Sequence, residues 1–347
     1  MKPFLLALSF IVAVSSTCTT YAQDLSNPGD YMTAVANAHV DMNKKYMAYL
    51  SAAAHSGRKR KIEKLRQQVL ESITASRYKT IDIPIYKGDN SLRKSSMDYI
   101  QLCYNVFNDD YNKIVNMEEI AEQSFDEMQA FILLQEKTDE KMTEAAEKMS
   151  TASKAFAAKY NVNLIDGDKD ELGQKMNIAG KLNHYRNQVY LVFFKCNWQD
   201  GEIVKAINAK KVNGVEQARS SLLRFATEGL KALDTLKSFN GDPTLASSCR
   251  QALQFYKKMA EKDLPIMTDY FLKQENFEKI KKSMDGKGNQ TKEDIDAYNK
   301  AVKEFNAAVS TYNQTNNQVN TNRSQVLKEW SNSESSFANN NMPHYKA

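Results

Sequence analysis

Glycine and proline are scarce in this chain, 12 and 6 among 347 residues. Both residues punctuate regular structure, so their scarcity argues against many short strands joined by tight turns and favours long helices. Histidine is rarer still, at His39, His55, His184 and His344. Helical bundles that bind two metals set Glu three residues before His so that both ligands project inward, but those positions hold Ala36, Ala52, Lys181 and Asn341. No His-x-x-x-His or Cys-x-x-Cys pair suggests zinc, and the glycine patterns of a nucleophile elbow or phosphate loop are missing. The sequence therefore gives no reason to expect a catalytic residue, metal or cofactor, and it reads as a non-enzyme.

Charge of one sign is not in large excess either, with 47 basic against 42 acidic residues. That balance gives no ground for a nucleic-acid partner. Beyond the first residues the longest apolar runs are Val189–Phe194 and Phe131–Leu134, which suit a core and are too short to span a bilayer. Of four cysteines, Cys18 lies near the N-terminus, and Cys103, Cys196 and Cys249 fall on apolar helix faces. An odd number leaves at least one unpaired. The three read as small buried hydrophobes, with one disulfide of unspecified pairing as the alternative.

What is present begins with a leader. Lys2, the apolar stretch Phe4–Val14 and the small residues around Thr20-Tyr21-Ala22 have the layout of a secretory signal peptide over residues 1–22. Cleavage after Ala22 is expected to deliver the chain to the periplasm or the cell surface and medium. Lipid attachment at Cys18, making an outer-membrane lipoprotein, is the rival reading, although Thr17 is an unusual predecessor for it.

Helical periodicity fills the rest. A first helix follows Asn27-Pro28-Gly29-Asp30 with the stripe Val35, His39, Met42, Tyr46, Tyr49, Ala53, whose four-three spacing marks one helix face. A second spans about 58 to 77, and Thr80–Tyr86 alternates like a short extended linker or edge strand. A third carries Met97, Ile100, Tyr104, Phe107, Tyr111 and Ile114, and a fourth covers about 121 to 160. The order then repeats. Ile178, Leu182, Tyr185, Val189, Val192 and Cys196 each lie 143 positions after the first stripe, which pairs His39 with Leu182. Breaks are expected at Gly201 and Asn213-Gly214, and Pro265 should kink its helix. The turn Gly241-Asp242-Pro243-Thr244-Leu245 matches Gly88-Asp89-Asn90-Ser91-Leu92 at an offset of 153. The last helix carries Ile295, Tyr298, Val302, Phe305, Val309, Tyr312, Asn316, Val319, Arg323, Val326 and Trp330, a strict three-four repeat that should loosen around its two polar members. These features predict an all-α fold of two tandem four-helix-bundle-like repeats with long antiparallel, heptad-patterned helices, over 23–165 and 166–336, with a flexible tail at 337–347.

The leader, the size, the repeated long helices and the Gly-Asp-(Pro/Asn)-(Thr/Ser)-Leu turn resemble an uncharacterised family of secreted helical surface proteins of Gram-negative bacteria. That resemblance implies an exported destination and carries no catalytic residue.

Two places stand out as candidate sites. Arg58, Lys59, Arg60, Lys61, Lys64 and Arg66 put six positive charges in nine residues, interrupted by Glu63. They suit an anionic partner patch, unless they simply form a solvated bundle end or pair with the acid-rich stretch 118–147. His39 is a core histidine or, on the other reading, the polar group of a pocket. The expected function is a non-catalytic interaction or structural protein of the cell envelope, presenting helical faces to a protein partner or an anionic surface. The alternative is a small-molecule binder or sensor with a ligand between the helices of one bundle.

Overall fold

The computed structural model describes residues 25–55, 58–110, 124–164 and 171–346. The expected leader with Cys18, and the stripe positions Tyr111 and Ile114, lie outside these residues. The fold is all-α, and among the described residues no strand forms. The helices are α1 Pro28–His55, α2 Lys59–Asp82, α3 Ser91–Asn105, α4 Phe125–Lys159, α5 Glu171–Asn208, α6 Val212–Thr235, α7 Thr244–Lys258, α8 Leu264–Asp285 and α9 Lys292–Asn341, with five-residue π turns at Val106–Asp110 and Met259–Asp263.

Local chemistry sets most of these ends. The Asn27 Oδ1 accepts from the Gly29 and Asp30 amides at 2.8 and 3.4 Å, and Pro28 opens α1 with its φ already helical. Ser124 caps α4 by accepting from the Glu127 amide. Thr291 and Asp294 exchange side-chain bonds with each other's amides before α9, the reciprocal box that satisfies two orphan donors. The expected extended linker at Thr80–Tyr86 is instead helical through Asp82. Arg93 donates to the Thr80 and Ile81 carbonyls at 3.2 and 2.9 Å, so the last turn of α2 keeps its acceptors satisfied, and Pro84 ends it. The breaks expected at Gly201 and Asn213-Gly214 are likewise absent. α5 runs through Gly201, and the chain turns at 209–211, where Lys210 takes a positive φ of 53°.

The chain divides into two compact units, residues up to Asn187 together with Ser336–Ala347, and Gln188–Ser335. The division expected at 165/166 therefore moves into α5. The first turns of that helix belong to unit 1, where Asn187 donates to Gln135 at 3.1 Å and Tyr185 packs on Phe337. The expected flexible tail is also corrected. α9 stays helical to Asn341, with Phe337, Ala338 and Met342 buried in unit 1, because Phe337 extends the three-four repeat one heptad past Trp330.

Unit 1 packs the α1 stripe, every member of it buried, against Val69 and Ile73 of α2 and Ile100 and Cys103 of α3. Tyr86 and Asp89 close a turn by exchanging backbone bonds of 3.2 and 2.7 Å. Lys87 and Gly88 both have positive φ, 45° and 82°, which is the geometry a primed turn demands. Unit 2 repeats this turn at Phe239–Asp242, with φ of 49° at Asn240 and 83° at Gly241. The correspondence is wider than one turn. The helix ends at His55 and Asn208, the starts at Lys59 and Val212, the ends at Asp82 and Thr235, the starts at Ser91 and Thr244, and both π turns are all 153 positions apart. The 143-residue register for α1 and α5 is thereby corrected. At the offset of the helix ends, His39 corresponds to Val192, and Leu182 is a residue of unit 1.

In unit 2 the polar stripe residue Arg323 does not loosen the packing. It donates from Nε and Nη2 to the two carboxylate oxygens of Asp200 at 2.7 and 2.8 Å, and the Asp200 side chain is only 5 % exposed. Burial deepens along α9, from 44 % exposure at Ile295 to 2 % at Val319 and 5 % at Trp330. The polar member is thus part of the core, which the heptad pattern alone could not show. The interruption near Pro265 is a π turn, with the Leu264 amide bonding back to the Met259 carbonyl. The proline offers no N–H to the Ala260 carbonyl, and Arg219 donates to that oxygen instead, at 3.2 Å. Removing Arg323 would strand a buried carboxylate, so Arg323→Ala should destabilise unit 2 by about 3 kcal/mol or more, read as a lowered urea midpoint.

Candidate anion-binding pocket

The two sequence-selected sites fare differently. His39 is 2 % exposed; its Nε2 lies 2.6 Å from the Ser96 Oγ, and its ring stacks on Tyr99 at 5.6 Å. Neither of the two cavities described below is lined by it. Burial holds its imidazole down to about 4, against 6.5 for the exposed group. It is a packed, neutral core histidine.

The basic cluster splits. Arg66 is engaged by Glu63, three residues earlier, through a 2.7 Å ion pair whose hydrogen bonds hold the glutamate below its usual carboxylate range. Arg58, Arg60, Lys61 and Lys64 are exposed, and among the described residues they pair with no acid. The Lys59 side chain lies outside the described residues. The pairing with the 118–147 stretch envisaged from sequence does not occur among the residues described. The α2 start also lacks a capping side chain and any acid in its first turn, so these cations face the positive end of the helix dipole.

Where α1 ends and α2 begins, unit 1 has a half-open cavity of about 460 Å³. Lys45, Ala48, Ala52 and His55 reach it from α1, and Lys61, Leu65 and Gln68 from α2. Each set has three-four spacing, a second face of each helix beside its core stripe. The third wall is His344, Tyr345 and Lys346. That segment is fastened to α1. The Tyr345 amide donates to the Ser51 Oγ at 2.9 Å, and the His344 ring stacks on His55 at 3.8 Å. The two ring nitrogens of His55 face carbonyl oxygens, Nδ1 that of Ser51 at 2.7 Å and Nε2 that of Asn339 at 3.0 Å. A neutral ring can donate to one of them, an imidazolium to both. Among the described residues no carboxylate lines the cavity, and Lys45, Lys61 and Lys346 have no acidic partner.

Unit 2 has a cavity of about 510 Å³ at the same junction, between α5 and α6. Its lining residues Trp198, Lys205, Gly214 and Ala218 are the 153-offset equivalents of Lys45, Ala52, Lys61 and Leu65. Here Glu202 is part of the lining and pairs with Lys205 at 2.7 Å. The cavity therefore comes with the helix junction; among the described residues three lysines without an acidic partner line it in unit 1, against Lys211 alone in unit 2.

Sequence reasoning found Lys61 and missed Lys45, His55 and Lys346. The three-four spacing of 45, 48, 52 and 55 was a usable signal, whereas nothing in the sequence joins residue 346 to residue 45. Cys103, Cys196 and Cys249 are free and buried, and burial raises all three thiols, Cys196 to about 12, so they are inert at neutral pH. Among the described residues no group of three or more His, Cys, Asp or Glu could hold a metal ion, and no helix is long and apolar enough to cross a membrane. No protein-family model matches the chain, and no curated protein or solved structure matches it.

Between about pH 6.5 and 4 the unfolded chain binds a proton at residue 39 that the folded one excludes, so stability falls as pH drops through that window. The expected loss from pH 7 to 5 is about 2 kcal/mol in urea denaturation, and His39→Gln should remove that slope while keeping a partner for Ser96.

Proposed function

We propose that this chain is an exported, non-catalytic interaction protein of the cell envelope, and that it engages an acidic protein partner through the cationic end of unit 1. The observation that carries the reading is the exposure of Arg58, Arg60, Lys61 and Lys64 without an acid partner among the described residues. Their position is unfavourable for α2 itself, since each well-placed cation at a helix start costs roughly 0.3–1 kcal/mol. The helix starts with the side-chain caps described above, α1, α4 and α9, follow the opposite pattern, with acids in the first turn. The same cations lie just past the end of α1, where they are favourable, and a surface that steers an acidic partner gains from a run of unpaired cations. The leader-like segment 1–22 and the resemblance to secreted helical surface proteins support an envelope destination.

The quadruple variant Arg58→Glu, Arg60→Glu, Lys61→Glu and Lys64→Glu alters exposed side chains and should keep the native circular dichroism. Cross-linking in the native envelope should recover a partner with the unmodified protein and lose it with the variant. Recovery should also fall with rising salt. Equal recovery by both proteins would refute the reading.

A further inference from the structure

We infer that the unit 1 cavity is a binding site for a small amphipathic anion, one carboxylate or phosphate head on a short apolar body. Its volume of about 460 Å³ lies within the range of small-ligand pockets, which combine an apolar lining with a few converging polar groups. Ala48, Ala52 and Leu65 supply the apolar surface. Lys45, Lys61 and Lys346 line it from α1, α2 and the C-terminal segment. Three like charges on the walls of one cavity repel one another, and among the described residues no carboxylate in the lining offsets them. An anion in the cavity removes that repulsion. Its charge would be held by donors that have no acidic partner among the described residues.

The equivalent cavity of unit 2 shows that the helix junction does not itself require this chemistry. At the position of Lys61 it has Gly214, at that of Lys45 it has Trp198, and its Lys205 is already paired with Glu202. Unit 2 is therefore an internal control: it has a cavity of similar size lined by one lysine without an acidic partner among the described residues, Lys211, against three in unit 1. The third lysine reaches the site because the C-terminal segment is bound at Ser51 and His55.

This site is separable from the partner surface, because Lys45 and Lys346 are outside the 58–66 cluster. Calorimetric titration of the full chain with octanoate, octyl phosphate, octanol and inorganic phosphate tests it. Octanoate, octyl phosphate or both should bind at one site per chain, and which of the two binds names the head group. Octanol and inorganic phosphate should bind at least tenfold more weakly. Lys346→Ala changes an exposed side chain and leaves the fold intact, and it should weaken binding about tenfold; adding Lys45→Ala should weaken it further. Lys211→Ala, in the unit 2 cavity, should change nothing. The Arg58→Glu, Arg60→Glu, Lys64→Glu triple variant should still bind octanoate or octyl phosphate, and the Lys45→Ala, Lys346→Ala protein should still recover the envelope partner. Octanol binding as tightly as octanoate, inorganic phosphate binding as tightly as octyl phosphate, or unchanged affinity in Lys346→Ala would overturn the assignment. So would the absence of binding by both amphiphiles at millimolar concentration.

Discussion

The Asp89 carboxylate holds one end of unit 1 together. It sits in a primed turn and accepts from the Ser91 amide at 2.9 Å, which starts α3. Its other oxygen accepts from Lys159 at 2.7 Å and Tyr160 at 3.2 Å, at the end of α4. One side chain thereby fixes a turn, a helix start and a helix end, and the Lys159 bond is the largest influence holding its acid well below the usual carboxylate range. Around it Tyr31, Tyr86, Phe156 and Tyr160 form a cluster with ring centres 4.6 to 5.4 Å apart. Tyr31 is in the first turn of α1 and His55 is its last residue, a distance of about 36 Å along the helix. The well-tied end and the cationic cavity are therefore the two ends of the same helix. A closed, aromatic, charge-compensated end leaves the other free to carry unpaired charge.

The polar groups inside the two units do different work. In unit 1 one core polar residue is a histidine kept neutral by burial, bonded to a serine and stacked on a tyrosine. In unit 2 it is an Asp200–Arg323 pair beside Met259, in the π turn. A buried pair of this kind adds little net stability over a well-packed apolar substitute, but it penalises any register that separates the partners. In a helix of 50 residues with a regular three-four repeat, such a pair selects one register among several that bury similar apolar surface.

Much of the helix inventory was legible because Val35, Met42, Tyr46 and Tyr49 obey a helical period and are all buried. Turn chemistry was legible where glycine sits at a positive φ, at Gly88 and Gly241. Register was not. A slide of ten residues, the difference between offsets of 143 and 153, is one heptad plus three, which carries alternate members of a three-four stripe onto other stripe positions. Only the helix ends resolve it. The tail was misread because its asparagines and serines dominate its composition while Phe337 and Met342 supply its burial. The cavity was half legible. Lys61 belonged to a visible charge run, but Lys45 looked like one solvated lysine among many, and Lys346 is brought near it only by tertiary structure.

Unit 1 is assembled from two stretches of chain, and the whole of unit 2 lies between them in sequence. This nesting imposes an order of events. Unit 2 has all its residues before Ser336 emerges, whereas unit 1 waits for 336–347. The wall formed by His344, Tyr345 and Lys346 is then the last part of the cavity to arrive. During synthesis, then, the walls that α1 and α2 give the cavity are made long before the third, and the cavity is completed only when the last residues of the chain are in place.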